Sequence, residues 1–135
     1  CARGGGIYGC IYSNSLEAME LSVQNGINVI EVDMMISSDG QIILKHGWDV
    51  DEQGNAIIES HDEFMSNNID CLYTPMDIEA LFEFMAKYEE LYIVVDVKGG
   101  LEIYELMIDM AKLQRMRKCW IDLSYRYILE TSMQT

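Results

Sequence analysis

The side chains best suited to chemistry in this sequence are two carboxylates at the end of a short apolar run. Glu31 and Asp33 close the run Ile27 to Asp33 and lie two residues apart. Residues two apart in a β-strand share one face, so these two side chains would project side by side. Like charges at that separation repel, whereas a divalent cation such as Mg²⁺ or Ca²⁺ takes oxygen ligands of this kind and cancels the charge. The pair is interpreted as half of a metal site, although a solvent-facing pair at a strand end fits the spacing equally well.

Two further runs also predict strands that end in polar side chains. Residues 41–46 follow a turn signal at 37–40 and predict a short strand that ends at His46. Residues 91–98 are continuously apolar until Asp96 and Lys98, as in a strand buried on both faces of a parallel sheet. The carboxyl ends of parallel strands meet at one rim, where barrels and doubly wound enzymes place their chemistry. The side chains expected to converge there are Glu31, Asp33, His46, Asp96 and Lys98.

Helices are predicted between these strands. Asn14 and Ser15 supply a cap for a helix that ends at Gly26. The pair Thr74-Pro75 caps a second helix, with apolar residues spaced by three and four. A third helix follows Gly99-Gly100 and places on one side Ile103, Leu106, Met107 and Met110. Strands that alternate with helices predict a parallel α/β architecture. Residues 47–73 are expected to form a loop or small insertion, and residues 120–123 to begin a further strand.

Composition limits the class of function. The chain has 135 residues, half of them apolar, which suffices for one small domain with a core. Nine basic against 23 acidic residues give a formal charge of −14, so nucleic-acid binding through a basic face is not expected. No run approaches the roughly 20 apolar residues of a membrane span. The cysteines are interpreted as ordinary thiols, because no zinc-ligand spacing links Cys1, Cys10, Cys71 and Cys119. Neither the oligomeric state nor the compartment follows from the sequence.

Several short motifs follow one another over roughly the first hundred residues. They are Arg-Gly-Gly at 3–5, Asn-Ser-Leu-Glu-Ala at 14–18, Glu-Val-Asp at 31–33, Ser-Asp-Gly at 38–40 before the strand to His46, and Asp-Val-Lys at 96–98. Their order and spacing resemble those of the glycerophosphodiester phosphodiesterases, a family of (β/α)8 barrels that cleave glycerophosphodiesters to glycerol phosphate and an alcohol.

The resemblance implies a role for each of these motifs. It implies that one divalent ion, Mg²⁺ or Ca²⁺, is held by Glu31, Asp33 and Asp96. It also implies that Arg3 and Lys98 contact the phosphate, and that His46 is one of two histidines that pass protons. The residue types suit these roles, because a carboxylate-bound metal polarises a phosphoryl oxygen and a histidine can protonate the leaving oxygen. A small phosphodiester is therefore the expected substrate.

Several positions depart from the family pattern. Ala2 stands where the family carries its first histidine, Gly47 stands where an aspartate follows the second, and Asp96 replaces a glutamate. A methyl group cannot carry a proton, and loss of one acid–base group lowers a rate by about 10²–10⁴-fold. Impaired hydrolysis is therefore expected. The alternative is a non-catalytic relative that binds metal and phosphate, or a truncated remnant.

Length also departs from the family pattern. A (β/α)8 barrel needs about 250 residues, so residues 1–135 are expected to form an incomplete amino-terminal portion of one. The glycine motif of the family follows the first strand, and no strand is predicted before Gly4. The first strand and the carboxyl-terminal half are therefore expected to be missing.

Three other side chains carry weaker expectations. His61 and Asp62 are expected to be a solvent-facing polar pair rather than a second acid–base pair. Lys45 is expected to face solvent or the neighbouring helix. Trp48 is expected either to wall the pocket beside the site or simply to pack.

Overall fold

A computed structural model of the chain describes residues 2–3, 13–69, 72–98 and 101–113. The predicted strand at 120–123 and the four cysteines lie outside these residues. Within the described ranges the order of elements is β1 (Ala2–Arg3), α1 (Leu16–Gln24), β2 (Val29–Ile36), β3 (Ile42–Leu44), α2 (His61–Ser66), α3 (Ile78–Lys87), β4 (Tyr92–Val97) and α4 (Leu101–Leu113).

The four described strands form one sheet in which β2 pairs with each of the other three. β4 pairs with β2 in parallel along residues 29–34. β1 pairs with it in parallel at Ile30 and Glu31, and β3 pairs antiparallel at residues 34–36. β4 pairs with one edge of β2 over this length. β1 and β3 therefore both pair with the other edge, β1 nearer the amino end of β2 and β3 nearer its carboxyl end. The predicted parallel alternation is confirmed for β2, α3 and β4, with α1 before β2.

Two strand predictions are wrong. β3 runs antiparallel to β2, because the turn at 37–40 is a tight hairpin in which the Ser37 N–H donates to the Gln41 carbonyl at 2.8 Å. A parallel neighbour would need a crossover of a dozen or more residues. β3 also ends at Leu44 rather than at His46. At the amino terminus, Ala2–Arg3 forms a strand where none was predicted, because its backbone finds a partner on the edge of β2.

The sheet has two chemically different faces. Residues that pair in register in parallel strands point to the same side, so Glu31 and Asp33 share a face with Val94 and Asp96. The opposite face is apolar and packs in the core with residues of α1, α3 and α4, among them Met19, Leu81 and Met107. β4 alternates between buried and half-buried residues. The expectation that it is buried on both faces is therefore wrong for the described part of the chain.

Helix ends follow the predictions only in part. Ser15 caps α1 by accepting a hydrogen bond from the Ala18 N–H, and α1 ends before Gly26, whose φ of +78° suits glycine. α3 begins at Ile78 rather than directly after Thr74-Pro75, because Asp77 is its N-cap and accepts from the Ala80 N–H at 2.8 Å.

Thr74 is hydrogen-bonded to α1, whereas a cap of α3 would bind the first turn of α3. It donates two hydrogen bonds to Glu17 of α1, at 2.8 Å from the backbone and 2.6 Å from the hydroxyl. Burial raises the pKa of Glu17, but these hydrogen bonds outweigh it and hold the pKa below its ordinary value of 4.5. The contact fastens the start of α1 to the segment before α3.

The segment between β3 and α3 contains a short helix, α2. The His61 N–H donates to Asp39 Oδ1 at 2.9 Å, and His61 Nε2 lies 2.9 Å from Asp77 Oδ2. Asp62 is exposed as expected, whereas His61 is half-buried, so the predicted solvent-facing pair is wrong for His61. The hydrogen bond to Asp77, aided by Asp62, raises the pKa of His61 above its ordinary 6.5. The histidine fastens α2 to the cap of α3.

The apolar side of α4 is narrower than its sequence predicts. Ile103 and Met107 are buried, but Leu106 is 36% exposed, which corrects its placement on the packed side. None of the described helices combines the length and the apolar composition that a membrane span requires.

Candidate metal centre

Three carboxylates meet on the polar face of the sheet. Glu31 and Asp33 come from β2, and Asp96 of β4 is the register partner of Asp33. One oxygen from each of the three lies within 4.8 Å of the others. Oxygen ligands on opposite sides of one Ca²⁺ ion lie about 5 Å apart. The spacing of these donors is therefore within the reach of one divalent ion.

Lys98 is the cation of this cluster. Its Nζ lies 2.8 Å from Asp96 Oδ2 and 3.8 Å from Asp33 Oδ1, and its backbone N–H donates to the Met34 carbonyl at 2.9 Å. Three carboxylates against one ammonium leave about −2 in formal charge at the cluster. Asp33 is only 3% exposed, and a buried charge is costly unless it is paired. The donor set and its net charge fit a hard divalent cation.

Asn14 holds Asp33 in place, and sequence reasoning missed this role. Its Nδ2 donates to Asp33 Oδ2 at 3.1 Å, and its Oδ1 accepts from the Asp33 N–H at 3.0 Å. The residue is fully buried and has a φ of +49°, a conformation that asparagine tolerates better than most residues. The sequence signal was present in the Asn-Ser-Leu-Glu-Ala motif, where Asn14 was interpreted as part of a helix cap. The structure assigns the cap to Ser15 and leaves Asn14 to orient the carboxylate.

His46 reaches this region through the hairpin rather than through a parallel strand. Leu44 of β3 pairs with Met34 of β2, and the Lys45 N–H donates to the Asp33 carbonyl at 3.1 Å. His46 is the next residue, and its exposed side chain lines a cavity together with Trp48. His46 therefore follows a residue that is hydrogen-bonded to Asp33, but it is not a member of the carboxylate cluster. Trp48 walls the cavity, which was one of its two expected roles.

Arg3 was predicted, together with Lys98, to contact the phosphate, and the structure describes the position of its backbone. Arg3 is the register partner of Glu31, and Ala2 is the partner of Ile30. The Arg3 backbone thus lies next to the candidate centre, and its contact with phosphate stays a prediction.

The fold and the carboxylate cluster together define a parallel α/β protein with a candidate metal site. Three parallel strands alternate with helices, and a carboxylate cluster with a lysine lies toward the carboxyl end of the stretch in which β2 (29–34) and β4 (92–97) pair in parallel. In parallel α/β proteins this end of the sheet is where ligands bind. An acidic cluster there could hold a divalent ion.

Solved structures with this fold include glycerophosphodiester phosphodiesterases. A candidate glycerophosphodiester phosphodiesterase from Galdieria sulphuraria matches with a TM-score of 0.65 at 21% identity, over 84% of this chain and 52% of that chain. The enzyme from Parabacteroides distasonis matches with a TM-score of 0.64 at 15% identity, over 78% of this chain and 46% of its own. The one from Thermotoga maritima matches with a TM-score of 0.57 at 21% identity, over 73% of this chain and 43% of its own.

These matches show the fold. The chain has a glycerophosphodiester-phosphodiesterase-like fold, so the resemblance seen in its motifs is confirmed at that level. The chain spans about half the length of these solved structures. No protein-family model matches the sequence, and no curated protein is significantly similar to it.

Proposed function

We propose that this chain carries the metal and phosphate site of a metal-dependent phosphoric diester hydrolase of the glycerophosphodiesterase type. The observation that carries the proposal is the gathering of Glu31, Asp33 and Asp96 beside Lys98. The substrate would be a small glycerophosphodiester, cleaved to glycerol phosphate and an alcohol. The three parallel strands and their helices would form the first part of a (β/α)8 barrel.

The proposed role of each residue follows from the charge that its side chain carries. A divalent ion held by the three carboxylates would polarise a phosphoryl oxygen and offset the charge that develops on it. Lys98 already contacts two of these carboxylates, so its ammonium would lie where a phosphate oxygen approaches the cluster. Arg3 would supply a second cation from the edge of β2. His46 would protonate the leaving alkoxide as the ester bond breaks.

One observation favours the second candidate, a non-catalytic relative that binds metal and phosphate. Ala2, one residue before Arg3, stands where the family carries its first histidine and has no proton-transfer group. Binding needs only the cluster and its cations, whereas efficient hydrolysis needs proton transfer on both sides of the ester. Weak or undetectable hydrolysis with intact metal binding would identify this case.

Calorimetric titration of Mg²⁺ and Ca²⁺ tests the metal site. We expect one divalent ion to bind, and Asp33→Ala to abolish measurable binding, because this substitution removes the most buried ligand. Asp62→Ala is the matched control, since Asp62 is 99% exposed and its loss should leave the affinity unchanged. Equal affinity in wild type and Asp33→Ala would overturn the site.

A further inference from the structure

A cavity of about 310 Å³ lies where β3 ends. Its walls include Ser13, Lys45, His46, Trp48 and Phe64. The backbone links two of these wall residues to Asp33 of the candidate centre. Lys45 donates its N–H to the Asp33 carbonyl, and Ser13 precedes Asn14, which binds Asp33 through two hydrogen bonds. A group attached to a phosphate at the centre could therefore extend into this cavity.

The ammonium of Lys45 sits between the two aromatic walls of the cavity. Its Nζ lies 5.7 Å from the ring centroid of Trp48 and 5.8 Å from that of Phe64. Within the described part of the chain, no carboxylate forms an ion pair with it. Lys45 and His46 are the titratable side chains among the described wall residues. The charge that Lys45 brings to the cavity is therefore not cancelled by a described neighbour.

Paired aromatic rings commonly bind ligands that carry a quaternary ammonium, through cation–π attraction. Here the same two rings already face a resident cation. A ligand ammonium entering the cavity would meet a like charge and would find the ring faces in use. Hydroxyl or anionic groups meet the opposite situation, because the lysine ammonium can donate hydrogen bonds to them.

We infer that this cavity binds the alcohol part of the substrate and selects a hydroxylated or anionic alcohol over one that bears an ammonium. The inference rests on the proposed function, since it assigns the group attached to the phosphate at the candidate centre. Pockets for small ligands start at about 300 Å³, so the cavity has room for a group the size of glycerol.

Competition binding to the metal-loaded protein tests the inference with two probes of similar size. The probes are glycerophosphoglycerol, which has an uncharged polyol, and glycerophosphocholine, which has a quaternary ammonium. We expect glycerophosphoglycerol to bind at least about tenfold more tightly, because two cations about 5 Å apart repel strongly in a partly buried site. Lys45→Met should remove most of this preference and improve binding of glycerophosphocholine by about threefold or more, since it frees both ring faces.

Lys87→Met is the matched control. Lys87 also lies over an aromatic ring, 5.3 Å from the centroid of Tyr88, but at the carboxyl end of α3 and outside the cavity wall. It should leave the preference between the probes unchanged. Equal affinity of the wild type for both probes, or an unchanged preference in Lys45→Met, would overturn the inference and leave the proposed function standing. Failure of both probes to bind a protein that still binds metal would overturn both.

Discussion

Replacing Asn14 by alanine should destabilise the protein far more than its short side chain suggests. The substitution removes two buried hydrogen bonds to Asp33, one to its carboxylate at 3.1 Å and one from its N–H at 3.0 Å. No solvent reaches the site to replace them, because Asn14 is fully buried and Asp33 is 3% exposed. The carboxylate loses a donor, and the N–H loses its acceptor.

The expected loss can be estimated from these contacts. A hydrogen bond to a charged group contributes about 1.5–3 kcal/mol, and a buried N–H left without a partner costs about 1–3 kcal/mol. Alanine at a φ of +49° adds roughly 1 kcal/mol of backbone strain. Interactions that share one partner are not additive, and relaxation recovers part of the loss. We therefore expect Asn14→Ala to lower the free energy of unfolding by about 3 kcal/mol.

Urea unfolding measures this loss, and Asn55→Ala is the matched control. Asn55 Nδ2 also donates to a carboxylate, Asp51 Oδ2 at 3.3 Å, but both residues lie on the surface. Exposed substitutions of this kind change stability by less than about 0.5 kcal/mol. Asn14→Gly separates strain from lost hydrogen bonds, because glycine accepts the positive φ. A loss below about 1 kcal/mol in Asn14→Ala, or an equal loss in Asn55→Ala, would refute the reasoning.

Two further predictions concern proton transfer and pH. Ala2→His should raise glycerophosphodiester hydrolysis by about 10²-fold or more, measured by release of glycerol phosphate; no gain in a variant that still binds metal would place the defect elsewhere. The pKa of His61 is raised in the folded state, chiefly by Asp77, so its stabilisation is complete below its ordinary value of 6.5 and is lost as pH rises through the folded value. The urea midpoint of the wild type should therefore fall as pH rises across that window, and that of His61→Gln should fall less steeply. Parallel curves for the two proteins would contradict the assignment of this pH dependence to His61.

The sequence by itself determined the elements whose patterns are local. The apolar run before Asp33, the periodicity around Leu81 and the glycine at 26 predicted β2, α3 and the end of α1, and the structure has each of them. The spacing of Glu31 and Asp33 determined that they share a face, because the side-chain period of a strand is two. The order of the motifs was enough to indicate the fold that the solved structures then showed.

Long-range pairing had to be learned from the tertiary structure. The strand at Ala2–Arg3, the hydrogen bonds from Asn14 to Asp33 and the contact of His61 with Asp77 all join residues far apart in the chain. Local propensity does not encode them, because each depends on which buried polar group is left needing a partner once the sheet has formed. The contacts of the Lys45 ammonium with the rings of Trp48 and of Phe64 in α2 likewise appear only in the tertiary structure.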